Sequence, residues 1–251
     1  MDKMIYTSLN SINNLIRNRI NISQNLANIG VPGYRKDVEY QNQTSFLTEF
    51  GALSSRATVV SEDAGNFSNK LGSIKNSGVP TDVALLNESF MLAENANGET
   101  IFTRRGDLSL TPDGFLINGA GLKVLSEDLT PISLPNYNSI KISEIGEIKI
   151  DTPGTPPNTF TTVGVIASVN PKNYELIKGS DGEIKNIGSG PIASDQSGRF
   201  LQGSLEGSNV NTVEEMVASI ENQRQFEINM KLIKSAEEAS RSGSSLLKIS
   251  Q

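Results

Sequence analysis

Carboxylates are the reactive groups this sequence offers in number: it has 28 Asp and Glu against 22 Lys and Arg, and no His, Cys or Trp. Two carboxylates flanking a sugar ring hydrolyse a glycosidic bond without His, so an acid pair is the enzyme chemistry to look for. Asp107, Asp113, Asp128, Asp151 and Asp181 are the candidates. Each lies in or beside a turn sequence, where Asp is favoured because its carboxylate accepts a hydrogen bond from its own backbone. Turn formation is therefore the reading for all five. Arg104-Arg105, within Thr103-Arg104-Arg105-Gly106-Asp107, suggests anion binding, but adjacent strand residues point to opposite faces. One Arg is expected to be a structural ion-pair partner and the other to lie on the surface. Without His or Cys, Ser-His-Asp and Cys-His sites, thiolate or imidazole zinc sites and His-ligated haem are excluded. No metal site and no cofactor is expected.

The remaining composition narrows the partners. A net charge of −6 provides no basic stripe to neutralise phosphates, so nucleic acid is not expected as a partner. Hydrophobic residues make up 36% of the 251 positions and aromatics 6%. A chain of that size with so little apolar surface hides less by itself than most, which suits a subunit completed by neighbours. No apolar run approaches the roughly 18 residues of a membrane span. The N-terminus lacks a basic segment followed by an apolar one, so Sec export is not the expected route. Absence of Cys suits a chain that crosses an oxidising compartment unbridged.

The elements that position everything else are the two ends. With Ile5, Ile12, Arg19 and Leu26 at heptad position a, Ser8, Leu15, Ile22 and Ile29 fall at d, and Leu9 and Ile16 at e. This is an apolar stripe along one helix face. Arg19 interrupts it, either fixing register against an acid such as Glu221 or Glu227 or running its stem out to water. Asn211 with Glu214 three residues on forms a capping box, after which Val213, Met216, Val217, Ile220, Phe226, Met230, Ile233 and Leu247 recur at helical spacing. The first helix is expected to stop near Asn28, with Gly30 as a left-handed cap and Pro32 unable to continue it. Each stripe needs a partner, and each is the other's best candidate within the chain.

Between them the pattern changes to strands and turns. Residues 37–76 carry only scattered apolar residues (Phe46, Leu47, Phe50, Leu53, Val59, Val60 and Phe67) and read as an extended connector that packs on something else or as a disordered linker. From Val79 onward short apolar runs alternate with Gly- and Pro-containing turns. Residues 81–86 and 89–93 read as a strand pair. Hairpins are expected around Thr111-Pro112-Asp113-Gly114, between 140–142 and 147–150, and around Gly179-Ser180-Asp181-Gly182. The fold class is α+β: terminal helices over 1–30 and 209–251 forming a coiled-coil-like assembly domain, a connector over 31–78, and an inserted, mostly antiparallel β domain over 79–208.

Asn25-Leu26-Ala27-Asn28 followed by Pro32-Gly33-Tyr34-Arg35 resembles the N-terminal signature of the bacterial flagellar rod and hook family. Thr103 to Asp107 with Asp113-Gly114 is similar to its central β motif. Gly203-Ser204-Leu205-Glu206-Gly207-Ser208-Asn209-Val210 and Gln223-Arg224-Gln225-Phe226-Glu227 resemble its C-terminal signature. The motifs keep the family order across the whole chain, with Val31 departing from the usual Thr before Pro-Gly. The resemblance implies a structural subunit of the proximal rod, exported without cleavage by the flagellar type III apparatus and stacked helically into a hollow periplasmic drive shaft. Its implied partners are the other proximal rod proteins, the distal rod protein, copies of itself and, in transit, the export apparatus. Distal rod or hook subunit, peptidoglycan-acting accessory protein and filament cap are the competing readings.

Overall fold

The computed structural model describes residues 2–38, 44–47, 56–59, 65–154, 156 and 159–249, with side chains described for 8–9, 11–38, 65–154, 156, 159–239 and 241–242. Phe50, Leu53 and Val60 lie outside the described residues, as do the side chains of Ile5, Phe46, Leu47, Val59 and Leu247. Two compact units emerge. One comprises Met1–Leu26, Val38–Asp63 and Asn211–Gln251, the other Ala27–Asp37 and Ala64–Val210. The second takes in both ends of the expected connector: Ile74–Asn76 pairs with Ser204–Glu206, and Asp37 bridges to Phe67.

The first unit holds two long helices, α1 (Asp2–Ala27) and α2 (Thr212–Ile249), and an antiparallel pair of strands, Thr44–Leu47 and Arg56–Val59. Asn211 caps α2, its Oδ1 accepting from the Val213 amide at 3.0 Å while its side-chain amide donates to Glu214 at 3.1 Å. At the end of α1 the expectation for Gly30 is not met: the left-handed conformation falls at Gly33, with φ of 67°. The reason is spatial. A Cβ on Gly33 would collide with the carbonyl of Arg104, so backbone approach as well as φ demands glycine at that position.

The second unit is a set of antiparallel sheets. Phe90–Glu94 runs through the largest of them, pairing with Thr100–Thr103 on one side and with Lys123–Val124 and Ser168–Val169 on the other. Its alternation feeds two cores. Met91 joins Val83, Leu108, Leu116, Ile148 and Phe200, while Phe90 and Leu92 join Phe102, Leu125, Val169 and Ile184. Each such side chain contributes about 2 kcal/mol of burial. The expected hairpins form: Leu108–Leu110 with Leu116–Asn118, Ser139–Ile142 with Glu147–Asp151, and Leu176–Lys178 with Ile184–Asn186. The expected pairing of residues 81–86 with 89–93 does not. Val83–Leu85 pairs instead with Phe200–Gln202. All three of its residues are buried, and a strand covered on both faces takes whichever edge completes the core rather than its nearest neighbour in sequence.

Candidate assembly site

Three hydrogen bonds join the terminal helices in antiparallel order: Asn25 Nδ2 to Glu215 Oε2 at 3.2 Å, Asn222 Nδ2 to the Leu15 carbonyl at 3.0 Å, and Asn229 Nδ2 to Ser11 Oγ at 3.2 Å. Ser8, Leu15, Ile22 and Asn25 of α1 are buried, as are Glu215, Asn222 and Ala236 of α2. Ile12, Leu26, Phe226 and Ile233 are half-buried. Among the described residues, Asn18 Oδ1 is buried with no hydrogen-bond partner. The d positions Ser8, Leu15 and Ile22 of the expected α1 stripe thus face the seam, whereas its e positions Leu9 and Ile16 are exposed, as are Val213, Met216, Val217, Ile220 and Met230 of the expected α2 stripe, Val213 and Ile220 by about 70%. Arg19 is exposed too, so of its two readings the stem running to water is the one realised. Sequence reasoning missed Glu215, Asn222 and Asn229 because it followed apolar residues. Their seven-residue spacing, continued by Ala236, was the signal that marks them.

In the β unit, the signature residues converge on one carboxylate. Glu206 Oε2 accepts from Arg104 Nε at 2.7 Å, and Oε1 accepts from the Gly72 amide at 2.7 Å and pairs with Arg35 Nη2 at 3.2 Å. The Glu206 carbonyl accepts from the Gly33 amide at 2.7 Å. Arg104 also donates to the carbonyls of Leu85, Asn87 and Ser89, and Arg35 to that of Lys70. All three charged side chains are almost wholly buried. Burial, with Arg104 close by, pushes the Arg35 guanidinium down to about 10, which leaves it charged at neutral pH; burial lowers Arg104 as well, against the attraction of Glu206. Beside this knot Lys178 Nζ reaches Asp37 at 2.7 Å and the Arg35 carbonyl at 2.8 Å, over the ring of Tyr34. Burial lowers the Lys178 pKa and Asp37 opposes that. Asn209 ties the same place together, accepting from the Lys36 amide at 2.6 Å and donating to the carbonyls of Ser68 and Lys70. As read from the sequence, one Arg of the pair is the structural ion-pair partner: Arg104 is buried, while Arg105 lies nearer the surface on Asp107 at 2.9 Å.

Of the turn acids, Asp181 is held within its turn and Asp107 by an ion pair, while Asp151 ends the strand Glu147–Asp151. Asp107 holds Arg105 and accepts from the Gly119 amide, and Asp181 accepts from the Glu183 amide. A cleft of about 320 Å³ lined by Pro32, Tyr34, Thr103, Lys178, Asp181 and Glu183 brings two carboxylates, Asp181 and Glu183, to its wall. Both are held by Lys185, at 3.3 and 3.1 Å, which Glu99 also contacts at 2.9 Å. These bonds raise the Lys185 pKa. Among the described residues no group of three or more His, Cys, Asp or Glu is placed to hold a metal, and no helix is long and apolar enough to cross a membrane.

Long terminal helices with uncovered apolar side chains, and a β unit whose acids are engaged in turns and ion pairs, define an α+β protein built to be packed against. Residues 201–246 match the family model of the flagellar basal body rod FlgEFG protein C-terminal region, and residues 84–150 that of the flagellar hook protein FlgE/F/G D1 domain. The chain is 31% identical to the flagellar basal-body rod protein FlgF of Salmonella typhimurium and 30% identical to that of Escherichia coli K12, over the full length of each. It is 31% identical to the rod protein FlgG of Borreliella burgdorferi, over 86% of this chain and 88% of that protein. The chain belongs to the flagellar basal-body rod protein family, as a structural subunit of the rod.

Proposed function

We propose that the chain occupies the proximal part of the rod and joins its neighbours through the terminal helices. The observation that carries this is the uncovered apolar face of α2, where Val213, Met216, Val217 and Ile220 are at least half exposed. Left in water, such a face costs free energy in proportion to its area. Covered by a terminal helix of the next subunit, it becomes the adhesive. A heterologous contact of this kind that does not close into a ring generates a helical stack, and many contacts in parallel bear torque. Neighbours in this reading are copies of the chain, the other proximal rod proteins and the distal rod protein, after passage through the export apparatus. Phe226 and Ile233, at the edge of the seam, and Leu9 and Ile16 of α1 extend the same contact.

The proximal position rests on likeness to FlgF over the entire chain. Catalysis has no part in the reading, because the two carboxylates at the cleft wall are both committed to Lys185. The test is complementation. Expressed in a strain lacking its FlgF gene, the chain should restore swimming. In a strain lacking its FlgG gene it should not. Rescue of the second strain alone would assign the chain to a different place in the rod.

A further inference from the structure

In the helical unit, polar side chains share the seam with apolar ones while other apolar side chains are left outside it. The seam takes in Ser8, Asn25, Glu215 and Asn222 with Leu15, Ile22 and Ala236, while Leu9, Ile16, Ile20, Val217, Ile220 and Ile228 remain outside. The pattern is periodic: Glu215, Asn222, Asn229 and Ala236 recur every seven residues on α2, and Ser8, Leu15 and Ile22 do so on α1. A seven-residue repeat keeps one face toward its partner along the whole contact. Ile16 and Ile20 of α1 and Val217 and Ile220 of α2 are apolar side chains that the observed rotation leaves exposed, so a contribution besides apolar burial selects it. That contribution is hydrogen bonding. Asn222 donates to the Leu15 carbonyl, Asn229 to Ser11 and Asn25 to Glu215. Asn25 and Glu215 are 1% and 2% exposed. A slip or a small turn of α1 leaves these groups in the seam without partners, a cost met before any new apolar contact is gained.

We propose that Asn25, Glu215, Asn222 and Asn229 are the specificity residues of the helix pair: they fix its register and rotation so that the apolar stripe faces outward, kept for a terminal helix of a neighbouring subunit. This rests on the reading of that stripe as the assembly contact. A polar residue at a seam position fixes register in coiled coils at a cost in stability. Here it also prevents the chain from covering its own adhesive face.

The sequence contains no Cys, so introduced pairs report without background. By the register of the Asn25–Glu215, Asn222–Leu15 and Asn229–Ser11 bonds, the pair Ile22→Cys and Ala218→Cys falls level along the seam, whereas Ile16 and Ile220, both exposed, are the sites of the pair Ile16→Cys and Ile220→Cys that a rotation is needed to bring together. In the otherwise unaltered full-length monomer the first pair should cross-link about tenfold faster than the second, the weight of one net hydrogen bond. Adding Asn222→Leu and Asn229→Leu should invert that preference and abolish motility when the cysteine-free version is expressed. Equal rates in the background that keeps Asn222 and Asn229, with the helical circular dichroism of both cysteine pairs matching the parent, would overturn the proposal. So would an unchanged preference in the Leu variant, or normal swimming by a variant whose preference has inverted. Failure of the underlying reading shows separately, as normal assembly of Val217→Asp with the seam preference intact.

Discussion

Glu206 illustrates how much depends on a single charge in the β unit. Its carboxylate neutralises two guanidiniums, Arg35 and Arg104, and accepts from the Gly72 amide, while its backbone carbonyl accepts from that of Gly33. Removing one partner of a buried ionic cluster costs more than the cluster contributes, because the remaining charges are left unpaired in a medium that solvates them poorly. Glu206→Ala should therefore destabilise the β unit by about 3–5 kcal/mol, measured as a lower denaturant midpoint for the loss of its β-sheet circular dichroism. A midpoint within experimental error of the parent would mean that water replaces the carboxylate. The same knot explains why Pro32-Gly33-Tyr34-Arg35, Thr103 to Asp107 and Gly203 to Asn209 are the segments that carry the family resemblance. Gly33 must be close to Arg104, Arg104 must reach Glu206, and Asn209 must hold the backbone of Lys36.

Among the described residues, α2 leaves more large apolar side chains exposed than α1 does, Val213, Met216, Val217, Ile220, Ile228 and Met230. A substitution on its outward face should leave folding intact and stop assembly. Val217 is half exposed, so Val217→Asp places a charge in water in the monomer, where the effect on stability is within about 0.5 kcal/mol. In the assembled contact the same carboxylate would be buried without a partner, at a cost of several kcal/mol, roughly the penalty for an unpaired buried charge. The expected outcome is an unchanged melting profile of the purified subunit and loss of swimming by cells that carry the variant alone. Cells that swim normally would remove Val217 from the contact.

For the whole molecule, the two units should differ sharply in local stability. The β unit holds two apolar clusters with residues such as Leu92, Phe102, Ile148 and Phe200 almost completely buried. The described part of the helical unit buries few apolar side chains, Leu15, Ile22 and Ala236 among them. Opening free energy follows buried apolar contact. In hydrogen exchange on the isolated subunit, amides of Leu92, Ile101 and Phe102 should be protected close to the global limit. Amides along α1 and α2 should exchange orders of magnitude faster, and slow down on incorporation into rods. Equal protection of both units in the monomer would show that the helices need no neighbour.

The sequence by itself determined what is encoded within a few residues: the existence of both terminal helices, the Asn211 cap, and the hairpins whose turns carry Pro112, Gly114 and Gly182. These depend on periodicity and turn chemistry, which are local. It also showed, through the order of its motifs, where the chain belongs. Only the tertiary structure decided what joins distant segments. It chose Phe200–Gln202 as the partner of Val83–Leu85, and it brought Arg35, Arg104 and Glu206 together across more than a hundred residues. It also turned Asn222 and Asn229 inward and Val217 and Ile220 outward. An amphipathic pattern states that an apolar stripe exists; whether it is covered by its own chain or left for another depends on which polar groups find partners in the seam, and that is settled only when both helices are in place.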